Sequence, residues 1–215
     1  MIYEYPNLDD PIEQGDIFVS LPRPDVPLDE VAFLAPSGPM RASWEKLALR
    51  GLPVKATIQL TPVSAIVISQ DCDALRGPHV SLCEIQNFRL VERKAADTPD
   101  KPKKWQSMLT QQAHINQKWF YLPPNPDLGW DDKMAADFRM TLRLPLDGLL
   151  RLRHFRKARL IEIASEHFRE RIADFFRRYS YDEWYPLSPD EFDEYQKDGH
   201  PDAAPFDWQK RTATP

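Results

Sequence analysis

Side chains able to do chemistry are concentrated in Gln70-Asp71-Cys72-Asp73, directly after the apolar run Ser64–Ser69. Two carboxylates flanking a thiol are compatible with three chemistries. Cys72, His79 and Cys83, spaced C-x6-H-x3-C, offer the thiolate and imidazole donors that zinc takes, although paired C-x2-C knuckles are missing. Cys72 could act as a nucleophile if His79, His114 or His154 approached it, since the adjacent aspartates disfavour a thiolate. Asp71 and Asp73, joined by a carboxylate such as Glu84, could hold magnesium for hydrolysis. Against all three stands the ordinary role of acidic turn residues, which cap their loop through backbone hydrogen bonds.

The apolar run must position this stretch. Ala65-Ile66-Val67-Ile68 is short, β-branched and bounded by polar residues, as a strand buried on both faces would be, so the polar residues emerge at its mouth. Arg76-Gly77-Pro78 marks a turn, and Val80 to Gln86 returns as the second arm of a hairpin with Cys83 facing roughly Val67. At about 3.3 Å per residue, Cys83 then lies about 10 Å from the loop carrying Cys72. Two separate thiols follow, with no disulfide, and the separation argues against Cys83 joining Cys72 and His79 on zinc, whereas a metal on Cys72 and His79 stays open.

Gly15 to Leu21 reads as a first, half-buried strand. Seven prolines interrupt the stretch from Pro22 to Pro62, leaving room for one short helix, Trp44 to Arg50, opened by Ser43 and stopped by Gly51. An excursion of that length is a functional loop or an accessory layer. Pro102 opens an amphipathic helix in the polar insertion Lys94–Gln117, where Trp105 is expected to pack inward. Lys118–Leu122 reads as a strand closed by prolines. Phe138, Met140, Leu142 and Leu144 alternate with Arg139, Thr141 and Arg143, and the strand pattern is expected to continue through Leu149–Phe155, with Arg159–Ile163 last. Arg139, Arg143, Arg151, Arg153, Arg156 and Arg159 would then share a strand face and bind a polyanion. Ser165 is expected to cap a helix to Tyr179 that lays Phe168, Ile172 and Phe175 on the sheet.

Charge is distributed unevenly around a net of −5. Residues 139–178 carry eleven basic against five acidic side chains, whereas 179–215 carry three against nine. The arginines either meet an external polyanion or pair with acidic segments of the chain. No apolar run is long enough to span a membrane, and Met1–Tyr5 does not read as a signal peptide, so a cytoplasmic location is expected. Two cysteines suit a reducing compartment. Glycine-rich phosphate loops, dinucleotide fingerprints and a serine elbow are missing, which argues against nucleotide-dependent and α/β-hydrolase chemistry.

Gln14-Gly15-Asp16-Ile17-Phe18, followed by Ala65-Ile66-Val67-Ile68-Ser69-Gln70-Asp71, resembles the MazF/PemK toxins. The resemblance implies an SH3-like barrel, endoribonuclease activity, a homodimer and an antitoxin partner. Two positions depart from the family pattern: Pro62-Val63-Ser64 stands where the toxins carry an arginine, and Cys83-Glu84-Ile85 where they carry a catalytic Thr or Ser. The Ser69–Asp73 stretch, Phe120–Pro123 and Phe175–Arg178 also resemble uncharacterised bacterial proteins of defence or mobile-element neighbourhoods.

These readings converge on a β-rich α+β fold: residues 1–180 as one elaborated SH3-like barrel domain with a packed helix 165–179, and 181–215 as an acidic extension with a short helix 189–197. The expected function is a binding or regulatory component of a bacterial defence or toxin–antitoxin system, recognising nucleic acid or a protein through Arg139, Arg143, Arg151, Arg153 and Arg156. The alternative is a nuclease centred on Asp71, Cys72 and Asp73. The sequence identifies no cofactor.

Overall fold

The structure, a computed structural model, describes residues 2–111 and 118–177, without the side chains of Asp73, Leu75, Thr110 and Gln111. The acidic extension 181–215 with its expected helix 189–197, Tyr179 and His114 lie outside the described residues.

In chain order the elements are β1 (Tyr3–Glu4), β2 (Asp16–Asp25), β3 (Val31–Ala35), β4 (Gly38–Ala42), α1 (Trp44–Ala48), β5 (Ala56–Thr57), β6 (Gln59–Val67) and α2 (Asp71–Arg76). Then follow β7 (His79–Asn87), α3 (Phe88–Val91), α4 (Pro102–Gln111), β8 (Trp119–Leu122), β9 (Met134–Pro145), α5 (Leu146–Arg151), β10 (Arg156–Leu160) and α6 (Glu162–Phe176). Seven strands form one antiparallel sheet in the order β1-β10-β2-β6-β7-β9-β8. The fold is therefore β-rich α+β. The sheet is open, with β1 and β8 as its edges, and does not close into a barrel among the described residues.

Consecutive residues of the central strands enter different cores, as the period of two requires. Ile17, Ile66 and Cys83 pack with Ile85, Phe138 and Phe168 on one side. Phe18, Val67 and Leu82 join Leu21, Leu142 and Leu149 on the other. The α6 helix covers the first side through Phe168, fully buried with its ring centroid 5.1 Å from Phe120 and 5.8 Å from Phe138. Burying such a side chain contributes about 2–3 kcal/mol. A third cluster gathers Phe88, Val91, Trp119 and Ala135, with Trp105 of α4 edge-on to Phe88 at 4.8 Å and to Tyr121 at 5.0 Å. Trp105 thus packs inward.

The proline-rich excursion is an accessory layer, a three-stranded sheet β4-β3-β5 that buries Val31, Phe33 and Leu47 together. Its helix starts at Trp44, but Ser43 makes no side-chain cap bond.

Several boundaries differ from the sequence reading. Cys83 lies opposite Ile66, and Val67 opposite Leu82, one residue from the expected register. Leu149–Phe155 is not a strand: α5 and a 3-10 turn at Arg153–Phe155 occupy it, after Pro145 ends β9. Helix α6 begins at Glu162, so Ser165 sits within its first turns and donates its N–H to the Ile161 carbonyl instead of capping. The expected turn at Asp71–Asp73 is the start of a helix, α2. The alternation along β9 is broken where the ladder to β7 slips between Cys83 and Glu84. Met140 consequently faces solvent while Phe138 and Leu142 are buried.

Candidate functional site

Three charged assemblies hold the side chains singled out by the sequence. The first lies at the end of β6. Gln14, nearly buried, donates its side-chain N–H to the Ile68 carbonyl at 2.8 Å and accepts from Arg169 Nε at 3.1 Å. Its backbone N–H donates to Asp71 Oδ1 at 2.7 Å, and Asp71 Oδ2 lies 4.0 Å from the Arg169 guanidinium. Asp71 therefore clamps the loop before β2 and the face of α6. Cys72 is exposed beside it, lining a cleft of about 570 Å³ with Gln70, Asp71 and Arg169. Asp73 belongs to α2. Cys83 is elsewhere, fully buried in the core, where burial pushes its thiol far above its ordinary value. The expected separation of the thiols holds, and both cysteines are free. Among the described residues, no three His, Cys, Asp or Glu side chains group as a metal site.

The second assembly accounts for two of the arginines. Asp16 is completely buried and bonded by Arg156 Nη1 at 3.0 Å and by Arg159 Nε at 2.6 Å. Arg156 also donates to the carbonyls of Asn7, Leu8, Asp10 and Pro11. A guanidinium offers five donors in a rigid fork, so one side chain satisfies a loop that no strand pairs. Arg156 is thus a structural tie, unavailable to a polyanion, which corrects its place among the binding residues. Arg153 meets Asp9 at 2.9 Å, and Arg151 is exposed on α5. Arg139, Arg143, Arg151, Arg153 and Arg156 do not share one strand face, because the chain turns into helix after Pro145.

The third assembly forms a groove of about 820 Å³ between two elements: the ribbon of β2 and β6 around Arg23–Pro27 and Gln59, and the Arg139–Leu144 part of β9. Its floor is Glu84, buried, with Asp137 directly opposite it on β9 and equally buried. Arg23 Nη1 donates to both Glu84 oxygens, at 3.1 and 2.9 Å, and Gln86 Nε2 donates to Oε1 at 2.6 Å. Arg139 grips Asp137 through Nε at 2.8 Å and Nη2 at 2.7 Å. These carboxylates raise both guanidiniums above their ordinary pKa, chiefly by hydrogen bonding. Asp25 accepts from Thr61 at 2.6 Å and from Arg23 Nε at 3.2 Å, which holds its carboxyl below the ordinary range. Arg143 is exposed and forms no ion pair among the described residues.

Glu84 on the floor and Asp137 opposite it are each committed to a guanidinium, so Arg23 and Arg139 are held in place at the groove. Arg23 and Asp137 escaped the sequence reading, which also assigned Glu84 only to a magnesium site with Asp71. The available signal was an acid inside each of two apolar strands, Leu82-Cys83-Glu84-Ile85 and Ala135-Ala136-Asp137-Phe138. No family model matches the chain, no curated protein is similar to it, and no solved structure resembles it.

Proposed function

We propose that this chain is a binding protein, not an enzyme, that holds an extended acidic segment of a protein partner in the groove between the β2–β6 ribbon and β9. The observation that carries this reading is the outer side of β9, with which no strand pairs beyond β8 among the described residues. Thr141–Pro145 pair with β7 alone among the described residues, whereas β8 covers only Met134–Asp137. An unpaired strand edge beside arginines supplies main-chain hydrogen bonds and charge to an added acidic strand.

Charge balance argues for a peptide over nucleic acid. Arg23, Arg139 and Arg143 line the groove with Asp25 and Glu84, and Arg139 is already paired with the buried Asp137, whereas phosphate backbones require several uncompensated cations. The groove lining holds no aromatic side chain on which bases could stack. The MazF/PemK resemblance of Gln14–Phe18 and Ala65–Asp71 supports a bacterial defence or toxin-like setting, with a kinship to SH3-like barrels as part of the same proposal.

Fluorescence anisotropy tests the reading with two probes of equal length, a labelled peptide alternating glutamate and valine and a labelled single-stranded RNA. The peptide should bind the parent and lose tenfold or more in affinity with Arg143→Glu. Binding of RNA alone, abolished by Arg151→Ala plus Arg153→Ala, would transfer the function to nucleic acid. RNA cleavage lost on Asp71→Asn would restore the nuclease alternative.

A further inference from the structure

Between two of its core positions the accessory layer projects into solvent. Leu47 of α1 and Val54 pack into the cluster with Val31 and Phe33, yet every residue between them in Ala48-Leu49-Arg50-Gly51-Leu52-Pro53 is exposed. Leu49 is 85% and Leu52 71% accessible, although both side chains are large and apolar. Gly51, at φ 61°, ends the helix in the left-handed region, and a Cβ there would meet nothing within 4 Å. The tip therefore stands clear of the other described residues while both of its ends are anchored.

Cations flank the two leucines. Lys46, Arg50 and Lys55 are exposed and form no ion pair among the described residues, whereas Arg41 is taken by Glu30 at 3.2 Å. The nearby acids lie at the other end of α1: Glu45 in its first turn, and Asp29 next to Leu28, whose carbonyl accepts from the Trp44 N–H at 2.9 Å. From Lys46 to Lys55 the sequence holds no acidic residue. Trp44 is half-exposed and stands about 7 Å back from Leu49 along the helix, at a rise of about 1.5 Å per residue.

We infer that this tip anchors the chain to the surface of an anionic bilayer, with Leu49 and Leu52 entering the boundary between headgroups and acyl chains, Lys46, Arg50 and Lys55 meeting lipid phosphates, and Trp44 at headgroup level. Apolar side chains joined to an interfacial tryptophan and unmatched cations are the composition of elements that lie in a membrane surface. A helix of five residues is far too short to cross, so the contact is with one leaflet. A convex tip suits a fluid surface, which needs no matching pocket, better than a protein partner, whose specific interfaces bury about 800 Å² a side. None of these residues lines the β9 groove, so the two surfaces are separate.

The test is co-sedimentation of the full chain with vesicles of mixed phosphatidylcholine and phosphatidylglycerol, and with vesicles of phosphatidylcholine alone. Partition onto the anionic vesicles, at least tenfold weaker onto the neutral ones and falling as salt is raised, is the expected result. Leu49→Gln plus Leu52→Gln should weaken it tenfold or more, as should Lys46→Gln, Arg50→Gln and Lys55→Gln combined, with thermal melting as a check on the fold. Equal partition onto both vesicle types, unchanged partition of the leucine variant, or no partition at millimolar lipid would overturn the inference. So would a dimer in sedimentation velocity that the leucine variant abolishes, found without any vesicle binding, because the tip would then belong to a contact with a second copy.

Discussion

Glu84 and Asp137 face each other across β7 and β9 as a directly registered pair of buried carboxylates, each held by its own guanidinium, Arg23 on one and Arg139 on the other. Like charges opposite one another in a ladder are destabilising, so the arginines are what make this pair tolerable. Replacing Arg23 by Met leaves Glu84 buried and uncompensated. The loss should be about 2 kcal/mol, below the 3–5 kcal/mol range for fully buried pairs because Arg23 is partly exposed. Glu84→Gln in the Arg23→Met background should recover stability. Urea unfolding of the two single variants and the double measures this coupling, and additive losses would refute it.

The buried knot of Asp16, Arg156 and Arg159 predicts a larger effect. Asp16→Asn keeps the side-chain shape but leaves Arg156, almost wholly buried, without its countercharge, and a loss of about 3 kcal/mol follows. Arg156→Lys should cost a similar amount, since one ammonium cannot serve four carbonyls and a carboxylate from a fixed plane. Parent-like denaturation midpoints in both variants would show that the loop Asn7–Pro11 is held by something else.

The parts of the fold that could be read from sequence are those governed by local pattern. Ala65–Val67 is buried on both faces because an unbroken β-branched run leaves no polar face, and Trp105 packs because its helical neighbours place it over Phe88. The arginines were misplaced for a complementary reason. A strand and a helix both accommodate Leu149–Phe155, and Pro145 together with the slip in the β7–β9 ladder decides for the helix. Nor can local pattern reveal that Arg156 closes on Asp16, 140 residues earlier. The groove required pairing Glu84 with Asp137 through register, a long-range property.

Acid should loosen the insertion around Trp105 first. Asp100 is held below the ordinary carboxylate range chiefly by the hydrogen bonds it accepts from Arg89, and Asp132 chiefly by one from Asn87. A depressed native pKa means that the folded state binds the proton less tightly than the unfolded state. Each group therefore stabilises fully above its ordinary value of 3.8, and that contribution disappears as pH falls through the native value. Near-UV circular dichroism of the Phe88, Trp105 and Trp119 cluster should change at a higher pH in Arg89→Gln than in the parent. Coincident acid transitions would show that the Arg89 contacts contribute nothing.

The two thiols should behave as different chemical species, because one is exposed on α2 and the other sealed in the core. A disulfide reagent such as dithionitrobenzoate should modify Cys72 rapidly in the native chain and reach Cys83 only after unfolding. Cys83 also links stability to alkaline pH: burial raises its native pKa well above the ordinary value of 9.0, so the folded state keeps a proton that the unfolded state releases. Its contribution is complete below pH 9.0 and declines as pH rises beyond it. Cys83→Ala should remove part of the alkaline destabilisation while losing about 1 kcal/mol at neutral pH from reduced packing. Cys72→Ser should cost no packing, since that side chain is exposed on α2. Equal labelling rates for the two cysteines in native conditions would mean that the Ile66–Cys83 pairing opens readily, contrary to the core described above.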